Sequence, residues 1–266
     1  MMTPTPTGTV LDRILEARVR EVEHRKKVLP ETALKYGVKA ATPLRDFSAA
    51  LLKPGINIIA ELKPASPSRG FIRDPFDPVE LATSLEAAGA SALSVLTEGQ
   101  FFRGSLKNLR DARKSVQLPV LRKDFIFDPW QVWESRANDA DSFLLMAAAL
   151  RDDQLAMLIA LGRELGMEPV VEVHTAEELS IAVAASAKII GVNNRNLKTL
   201  DVRIETSYEL IEQIPDECIA VSESGIRTSE EIARLHSAGF DAFLVGTSLM
   251  LAADPAAALL ALLGWS

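Results

Sequence analysis

The sequence predicts an α/β protein of the (β/α)8, or TIM, barrel class with extra helices at its N-terminus. Apolar runs of strand length alternate eight times with amphipathic stretches, and short connections join them without a linker. The chain has 266 residues, close to the roughly 250 that one such barrel takes. A doubly wound nucleotide-binding sheet would need G-x-G-x-x-G after an early strand, and the sequence has no such motif.

The start of the chain precedes this repeating pattern. Met1 to Thr9 are rich in Thr and Pro, and we expect them to form a flexible tail. Val10–Val28 and Pro43–Leu52 carry apolar residues at helical spacing, which predicts two extra helices covering the bottom or side of the barrel. Basic residues of the first helix, Arg18 among them, are interleaved with glutamates, which is typical of a solvated face. We therefore expect one catalytic domain over 10–266, with its helical extension at about 10–53.

Apolar periodicity and capping signals predict eight strands and the helices between them. The predicted strands are Ile56–Lys63, Ala92–Leu96, Val120–Lys123, Ser142–Ala147, Glu168–Val173, Ile189–Asn193, Cys218–Ser222 and Ala242–Val245. Capping boxes begin three helices and glycines end three: the boxes start at Asp77, Thr175 and Thr228, and the glycines are Gly89, Gly166 and Gly239. Further helices are predicted at Leu106–Val116, Pro129–Asn138, Asp152–Leu165, Ile204–Glu212 and Pro255–Leu263. Eight such units favour closure into a barrel.

Composition limits the class of protein. Apolar residues make up 48% of the chain and charged residues 24%, enough for a full-sized core. The net charge of −7 argues against non-specific nucleic-acid binding. No apolar run approaches the roughly 18 residues of a membrane span, and a lone Cys218 fits a reducing compartment. We expect a cytoplasmic protein without nucleic-acid or membrane partners, either a monomer or a weak homo-oligomer.

Charged side chains collect at the C-terminal ends of the predicted strands, where the active sites of this fold lie. Glu61 and Lys63 end the first strand two residues apart, so they share one face. Burying an unpaired charge costs several kcal/mol, so a plain core would not collect such residues. Three cations balance three carboxylates here, which favours an acid–base site over an ion-pair plug. With an asparagine beside them, the candidates are Glu61, Lys63, Lys123, Glu172, Asn193, Arg195 and Glu223.

The chemistry of the lysines stays open at this point. A lysine among carboxylates can act as a Schiff-base nucleophile or as a general acid, and spacing does not decide between them. His174 follows Glu172 and is a candidate to support it from behind. No cluster has metal-ligand spacing, and we expect neither a metal nor another cofactor.

The last two predicted strands are followed by glycines and hydroxyl residues. Ser224-Gly225 follows the seventh strand, and Gly246-Thr247 follows the eighth. Glycines let backbone N–H groups approach an anion, and Ser and Thr add hydroxyl donors. Loops after these two strands commonly hold a phosphate in this fold, so we expect a phosphorylated small molecule as the ligand.

Several of these segments resemble the indole-3-glycerol phosphate synthase family, in the order in which that family carries them. The matching segments are Ile59-Ala-Glu-Leu-Lys-Pro-Ala-Ser-Pro-Ser-Arg-Gly70, Leu93-Ser-Val-Leu-Thr-Glu98, Phe102-Arg-Gly-Ser105, Val120-Leu-Arg-Lys-Asp-Phe125, Glu172-Val-His174, Gly191-Val-Asn-Asn-Arg-Asn-Leu-Lys198, Ser222-Glu-Ser-Gly-Ile226 and Leu244-Val-Gly-Thr-Ser-Leu-Met250. The resemblance runs from about Val10 to the C-terminus. Departures at Pro64, Phe101 and Asn138-Asp139 touch none of the matched catalytic positions.

The resemblance implies an activity in tryptophan biosynthesis. 1-(2-Carboxyphenylamino)-1-deoxyribulose 5-phosphate would close to indole-3-glycerol phosphate, with loss of CO2 and water. The implied catalytic residues are Glu61, Lys63, Lys123, Glu172 and Asn193, with Lys123 as the acid of ring closure. The implied substrate-binding residues are Ser66, Phe102, Leu144, Arg195, Glu223, Ser224, Gly225, Gly246 and Thr247. Residues 66–73 would form a lid that excludes water.

Two other interpretations make different demands on the sequence. A phosphoribosyl isomerase barrel would need an acid–base pair without two inward-facing lysines. A degenerate barrel that only binds a partner should have lost the charges at its strand ends, and this chain keeps them.

Overall fold

Buried strands at regular intervals close into a parallel barrel. The computed structural model describes residues 2–265, so Met1 of the predicted tail and Ser266 of the predicted domain lie outside the described residues. Within that range the barrel strands are β1 (Asn57–Leu62), β2 (Ala92–Leu96), β3 (Val120–Lys123), β4 (Ser142–Met146), β5 (Val170–Val173), β6 (Ile189–Asn193), β7 (Ile219–Glu223) and β8 (Ala242–Val245). Each strand pairs in parallel with its sequence neighbours, and β8 pairs with β1. The predicted (β/α)8 barrel is confirmed.

Alternation along the strands sorts the apolar side chains into two layers. Ile59, Leu121, Val170 and Val221 belong to the cluster inside the barrel. Their neighbours in sequence, such as Ile58, belong to the larger cluster between the strands and the surrounding helices. The same alternation determines which side chains at the strand ends can meet inside the barrel.

Helices follow the strands as the capping signals predict. They are α4 (Pro78–Ala87), α5 (Leu106–Ser115), α6 (Pro129–Ala137), α7 (Asp152–Glu164), α8 (Ala176–Ala184), α9 (Glu205–Ile211), α10 (Ser229–Ser237), α11 (Thr247–Leu251) and α12 (Pro255–Leu262). The box at Thr228 is complete, since its side chain accepts from Glu231 N and the Glu231 side chain accepts in return. At Thr175 only the first half forms, because the Glu178 carboxylate accepts from His174 N instead. None of the helices among residues 2–265 is long and apolar enough to span a bilayer.

Three helices precede the barrel in the described range, where two were predicted. They are α1 (Leu11–Val28), α2 (Glu31–Ala40) and α3 (Phe47–Leu51). The extra helix α2 is short, and Leu34 is its single buried residue. It packs instead through Gly37, which lies close to Ala137 of α6.

The position of α1 corrects a second expectation. Leu11 and Ile14 of α1 line the cavity at the C-terminal ends of the strands, so the first turns of this helix cover the top of the barrel, which was not predicted. Val22, farther along the helix, packs in the outer cluster between strands and helices, so that part does cover the side. Phe47 of α3 does pack with the inner cluster, just before β1 begins. Arg18 of α1 is 1% exposed, so the solvated face predicted for this helix was wrong at that residue.

The segment before α1 has no helix or strand in residues 2–9. Met2 N donates to Asp128 Oδ2 at 3.0 Å, and Thr5 N donates to Ala149 O at 2.9 Å. Its flexibility stays a prediction, and so does the division of the chain at residue 10.

Candidate active site

One cavity of about 860 Å³ lies at the C-terminal ends of the barrel strands. Every residue that the sequence nominated for catalysis or substrate binding lines it: Glu61, Lys63, Ser66, Phe102, Lys123, Leu144, Glu172, Asn193, Arg195, Glu223, Ser224, Gly225, Gly246 and Thr247. The strand ends, the loops after β7 and β8 and the start of α1 all contribute to its wall. The cavity is large enough for a sugar phosphate that carries an aromatic ring.

Four charged side chains from the odd-numbered strands form a layer at the floor of this cavity. Glu61 comes from β1, Lys123 from β3, Glu172 from β5 and Glu223 from β7. Lys123 Nζ lies 2.7 Å from Glu172 Oε2 and 2.7 Å from Glu223 Oε2. Alternate strands contribute the side chains of each layer in this fold, and here the last layer is ionic instead of apolar.

The two glutamates that contact Lys123 have pKa values shifted in opposite directions. Burial alone would lower the pKa of Lys123, but the charges of Glu172 and Glu223 outweigh burial and raise it above its usual value. Burial likewise favours a raised pKa for Glu172, but the Lys123 charge and His174 outweigh it and lower the pKa. For Glu223, burial prevails over the Lys123 charge and raises the pKa. The site therefore holds a protonated lysine, an ionised Glu172 and a Glu223 that is easier to protonate.

Lys63 forms the second ion pair of the site. Its Nζ lies 2.5 Å from Glu61 Oε2, and 15% of its side chain is exposed to the cavity. A Cβ at Gly246 would overlap the carboxylate of Glu61. Gly246 was predicted to hold a phosphate; in the structure its missing side chain also makes the space in which Glu61 lies.

A second glycine has the same effect on Glu223. Gly191 lies on β6, beside β7, and a Cβ there would overlap Glu223 Oε1. Glu223 Oε1 is buried and has no hydrogen-bond partner among residues 2–265, so nothing except packing fixes that oxygen. Gly191 thus helps to keep the Glu223 carboxylate against Lys123.

His174 supports Glu172 from behind, as its position in the sequence indicated. Its Nε2 lies 3.4 Å from Glu172 Oε1, and its Nδ1 lies 3.1 Å from Glu178 Oε2. Burial lowers the pKa of His174, but its interactions with Glu172 and Glu178 outweigh burial and raise the pKa to about 9. The imidazolium therefore carries a charge at neutral pH and stabilises Glu172 in its ionised form.

The sequence analysis counted Arg195 among the cations that balance the carboxylates of the site, but within residues 2–265 the structure does not pair it with one. It makes no salt bridge with a carboxylate in the described part of the chain, and its Nη1 donates to Leu200 O at 2.9 Å. Burial, followed by the nearby Arg69 cation, lowers its pKa. Asn193 Oδ1 accepts from Arg195 N at 3.0 Å and holds the start of this loop. Two guanidinium groups near each other in a cavity suit an anionic ligand.

An aromatic wall stands on the β2 and β3 side of the cavity. The rings of Phe102 and Phe125 have centroids 5.9 Å apart, and Leu144 lies in the same apolar cluster. The buried carboxylate of Glu98 accepts from the backbone N–H groups of Gln100, Phe101 and Phe102. Sequence analysis included Glu98 in one of the segments that resemble the family but did not identify this role, which depends on how the loop folds back.

The loop after β7 lines the cavity where the chain turns sharply, and Arg227 in this loop also borders it. Ser224 has φ +67° and Gly225 has φ +86°, so the chain turns sharply where β7 ends. Asn194 Nδ2 donates to Ser224 O at 3.0 Å and fixes this turn from the neighbouring strand. Asn194 was not among the predicted residues because its side chain points away from the cavity, into a buried cluster with Ser207 and Ser222.

The predicted lid is a short hairpin. Ala65–Ser66 pairs with Gly70–Phe71 in antiparallel fashion, and Ile72 N donates to Pro64 O at 2.8 Å. Arg103 lies 5.5 Å from the ring centroid of Phe71, so the hairpin contacts the loop after β2. The hairpin borders the cavity through Ser66, Ser68 and Arg69.

Fold and site together define the class: a (β/α)8-barrel enzyme with a buried lysine–carboxylate site. No group of three or more His, Cys, Asp or Glu residues within residues 2–265 is arranged to hold a metal ion. Comparison with solved structures supports the fold alone; 3-hexulose-6-phosphate synthase matches with a TM-score of 0.64 and 15% identity, over 79% of this chain and 99% of that one.

Comparison of sequences gives the family. The model of the indole-3-glycerol phosphate synthase family matches residues 11–262. The indole-3-glycerol phosphate synthase of Rhodococcus opacus (strain B4) is 49% identical over 247 residues, 93% of this chain and 92% of that protein. That of Roseiflexus sp. (strain RS-1) is 47% identical over 256 residues, 92% of this chain and 95% of that protein.

The chain belongs to the indole-3-glycerol phosphate synthase family. It performs the function of that family in tryptophan biosynthesis, as a lyase that releases CO2 from a phosphorylated small molecule.

Replacing Gly191 by alanine should lower turnover by about 10- to 100-fold, because the new methyl group displaces Glu223 from Lys123. Steady-state kinetics with the purified variant check this. Gly99→Ala is the matched control, since a Cβ at Gly99 meets only Gly104 O at 3.7 Å, an ordinary contact. Equal rates for the two variants would show that Glu223 tolerates displacement.

Replacing His174 by asparagine should destabilise the protein in a pH-dependent way. The pKa of His174 is raised in the folded state to about 9 from 6.5, so its stabilisation is fully present below pH 6.5 and lost as pH rises through 9. Urea unfolding of both proteins between pH 6 and pH 10 should show a difference of up to about 3 kcal/mol at low pH that shrinks toward pH 10. A difference that stays constant over this range would mean a neutral imidazole.

Proposed function

We propose that Lys123 is the general acid of ring closure in the family's reaction. In this reaction 1-(2-carboxyphenylamino)-1-deoxyribulose 5-phosphate becomes indole-3-glycerol phosphate, CO2 and water. The observation that carries the proposal is the contact of Lys123 Nζ with both Glu172 and Glu223 at 2.7 Å. These contacts keep the amine protonated in a buried position at the centre of the site.

Ring closure requires an acid for a simple reason. The aromatic carbon that bears the carboxylate attacks the ketone of the sugar, and the ketone oxygen becomes an alkoxide. An alkoxide is far more basic than a lysine amine, so a nearby ammonium can protonate it as it forms. A raised pKa keeps Lys123 in the ammonium form until then. This role needs no covalent bond to the substrate, so we favour the general acid over a Schiff base.

The later steps draw on the remaining charged groups. Bond formation leaves a positive charge on the ring system beside the carboxylate, and loss of CO2 returns the electron pair. Dehydration then needs an acid for the departing hydroxyl and a base for a proton. We assign these tasks to Lys63, Glu61 and Glu172, which lie in two neighbouring ion pairs at the same floor.

Substrate binding is assigned to the walls of the cavity. Phe102 and Leu144 provide an apolar surface for the anthranilate ring. Asn193 and Arg195 orient hydroxyls and the carboxylate, and the absence of a carboxylate partner in the described range leaves Arg195 available for that anion. The phosphate is assigned to the turns and hydroxyls on the opposite side: Ser66, Ser224, Gly225, Gly246 and Thr247, with Lys63 and Glu223 nearby.

The hairpin over the cavity is assigned the role of a lid. Closure over the substrate would exclude water, which strengthens the electrostatic interactions in the site. Exposed Phe71 at 67% and the contact of its ring with Arg103 support a movable cover rather than a part of the core.

The wider setting is also a proposal. A single catalytic domain over 10–266, a cytoplasmic location and the absence of nucleic-acid partners agree with the net charge of −7 and the lone Cys218. We propose a monomer or a weak homo-oligomer without a resident metal or cofactor. Size-exclusion chromatography over a range of concentrations measures the first, and activity in the presence of a chelator measures the second.

Substitution of the central pair tests the proposed roles. Lys123→Ala and Glu172→Gln should each lower kcat by about 10²- to 10⁴-fold, because each removes a proton-transfer group. The assay incubates purified protein with the carboxyphenylamino-deoxyribulose phosphate and follows indole absorbance and fluorescence. Gly99→Ala again serves as the control, and circular dichroism verifies folding. Near-normal rates in both variants would refute the assigned roles.

A further inference from the structure

We propose that Arg18, on the N-terminal helix α1, is a positioning residue for Lys123 and acts through Asp124. The inference rests on the proposed role of Lys123 in catalysis. It assigns a function in the reaction to a residue that lies outside the cavity and contacts none of the proposed substrate groups.

Arg18 is buried in an ionic cluster outside the barrel. It is 1% exposed, and its Nη2 lies 2.7 Å from Asp124 Oδ2 while its Nη1 lies 2.5 Å from Glu21 Oε2. The cluster joins α1, β3 and α6 and is neutral, with three cations and three carboxylates. Its members are Arg18, Glu21 and Arg25 from α1, Arg122 and Asp124 at the end of β3, and Glu134 from α6.

Asp124 connects this cluster to the catalytic floor because it directly follows Lys123 in the chain. Its Oδ2 accepts from Arg18 Nη2 at 2.7 Å, from Thr97 Oγ1 at 2.6 Å and from Arg122 Nη2 at 2.9 Å. Its Oδ1 accepts from Phe125 N at 2.8 Å. Together with the hydrogen bond from Thr97 N to Lys123 O at 3.0 Å, these contacts fix the backbone on the C-terminal side of Lys123, where β3 ends.

Lys123 is sensitive to such a constraint. Its Nζ must reach Glu172 of β5 and Glu223 of β7 at 2.7 Å each, so a small shift of the β3 end would lengthen one of the two contacts. Misplacement of a catalytic group by about 1 Å can cost about 10²-fold in rate. Arg122, on the opposite side of β3, also donates to Asp124 Oδ2 but belongs to the same strand, whereas Arg18 holds Asp124 from α1.

The remainder of α1 explains why the anchor comes from this helix. Leu11, Ile14 and Arg18 share one face at helical spacing. The first two line the cavity, while Arg18 contacts Asp124 outside it. One rigid helix therefore relates the cavity wall to the backbone that carries Lys123.

An ordinary structural ion pair is the alternative, and the chain offers a matched example. Arg113 is 5% exposed, and its Nε and Nη2 lie 2.7 Å and 3.0 Å from the two carboxylate oxygens of Asp141. Asp141 precedes β4, at the end of the barrel away from the cavity. Loss of either arginine leaves a buried aspartate. Asp141 accepts from Val120 N at the start of β3, whereas Asp124 directly follows Lys123, so only Arg18 acts beside the lysine.

The test compares Arg18→Ala and Arg18→Lys with Arg113→Ala and Arg113→Lys. Both alanine variants should lose thermal stability. Only Arg18→Ala should lower kcat, by about 10- to 100-fold with KM changed less than about threefold, because the acid and not the substrate contacts is disturbed. Arg18→Lys keeps the cation and should recover part of the loss. It also provides a folded variant should the alanine variant fail to fold.

A direct measurement on Lys123 separates positioning from general destabilisation. Acetylation of Lys123 by an amine-reactive ester, followed by peptide mass spectrometry in the absence of substrate, reports how strongly its carboxylate contacts hold the proton. Loss of one contact should increase the labelling rate by about tenfold for each unit by which the pKa falls. The Arg113 variants should label at the wild-type rate.

The outcomes are distinguishable from those that test the catalytic role. Wild-type labelling and wild-type kcat in Arg18→Lys and Arg18→Ala, despite a stability loss like that of the Arg113 variants, would overturn the positioning role. Near-normal turnover of Lys123→Ala would instead refute Lys123 as the acid, while labelling would still show whether Arg18 controls its environment.

Discussion

The contact of one largely buried ammonium group with two buried carboxylates is the interaction on which the site depends. An isolated charge in this place would be unfavourable by several kcal/mol, so Lys123, Glu172 and Glu223 are each stable only while the others stay in contact. They come from β3, β5 and β7, and only a closed barrel of the right stagger brings those strand ends together. Barrel closure and the ionisation of the site are therefore linked.

The space around this contact is as important as the charges. Gly191 and Gly246 lie on or after even-numbered strands, between the strands that carry the carboxylates. A methyl group at either would overlap a carboxylate of the ionic layer, Glu223 in one case and Glu61 in the other. An ionic layer thus requires small neighbours, where an apolar layer would fill the same space with larger side chains. Neither glycine has a positive φ, and the close approach of a carboxylate accounts for the missing side chain at both positions.

Most of the barrel and the floor of the site could be predicted from sequence because they depend on local signals. Strands such as Ile189–Asn193 are mostly apolar runs, and a polar or charged residue at such a run's end indicates an active site in this fold. What escaped prediction depends on tertiary contacts. The period of α1 shows a buried face but not which end of the barrel it covers, and Arg18 among glutamates is indistinguishable from a solvated residue. The absence of a carboxylate partner for Arg195 within residues 2–265 likewise depends on how its loop folds.

Strand β7 connects the ionic layer with the turn that is proposed to bind the phosphate. Its last residue, Glu223, belongs to the ionic layer, and the next residue, Ser224, has φ +67° and starts the turn assigned to the phosphate. Positive φ is unfavourable for a residue with a side chain, so the surroundings must impose it, and Asn194 does so by donating to Ser224 O. The end of β7 and the hydrogen bond from Asn194 to Ser224 O therefore set the distance between the ionic layer and the proposed phosphate site. A substrate anchored there by its phosphate would present its sugar carbonyl to Lys123 at a fixed depth.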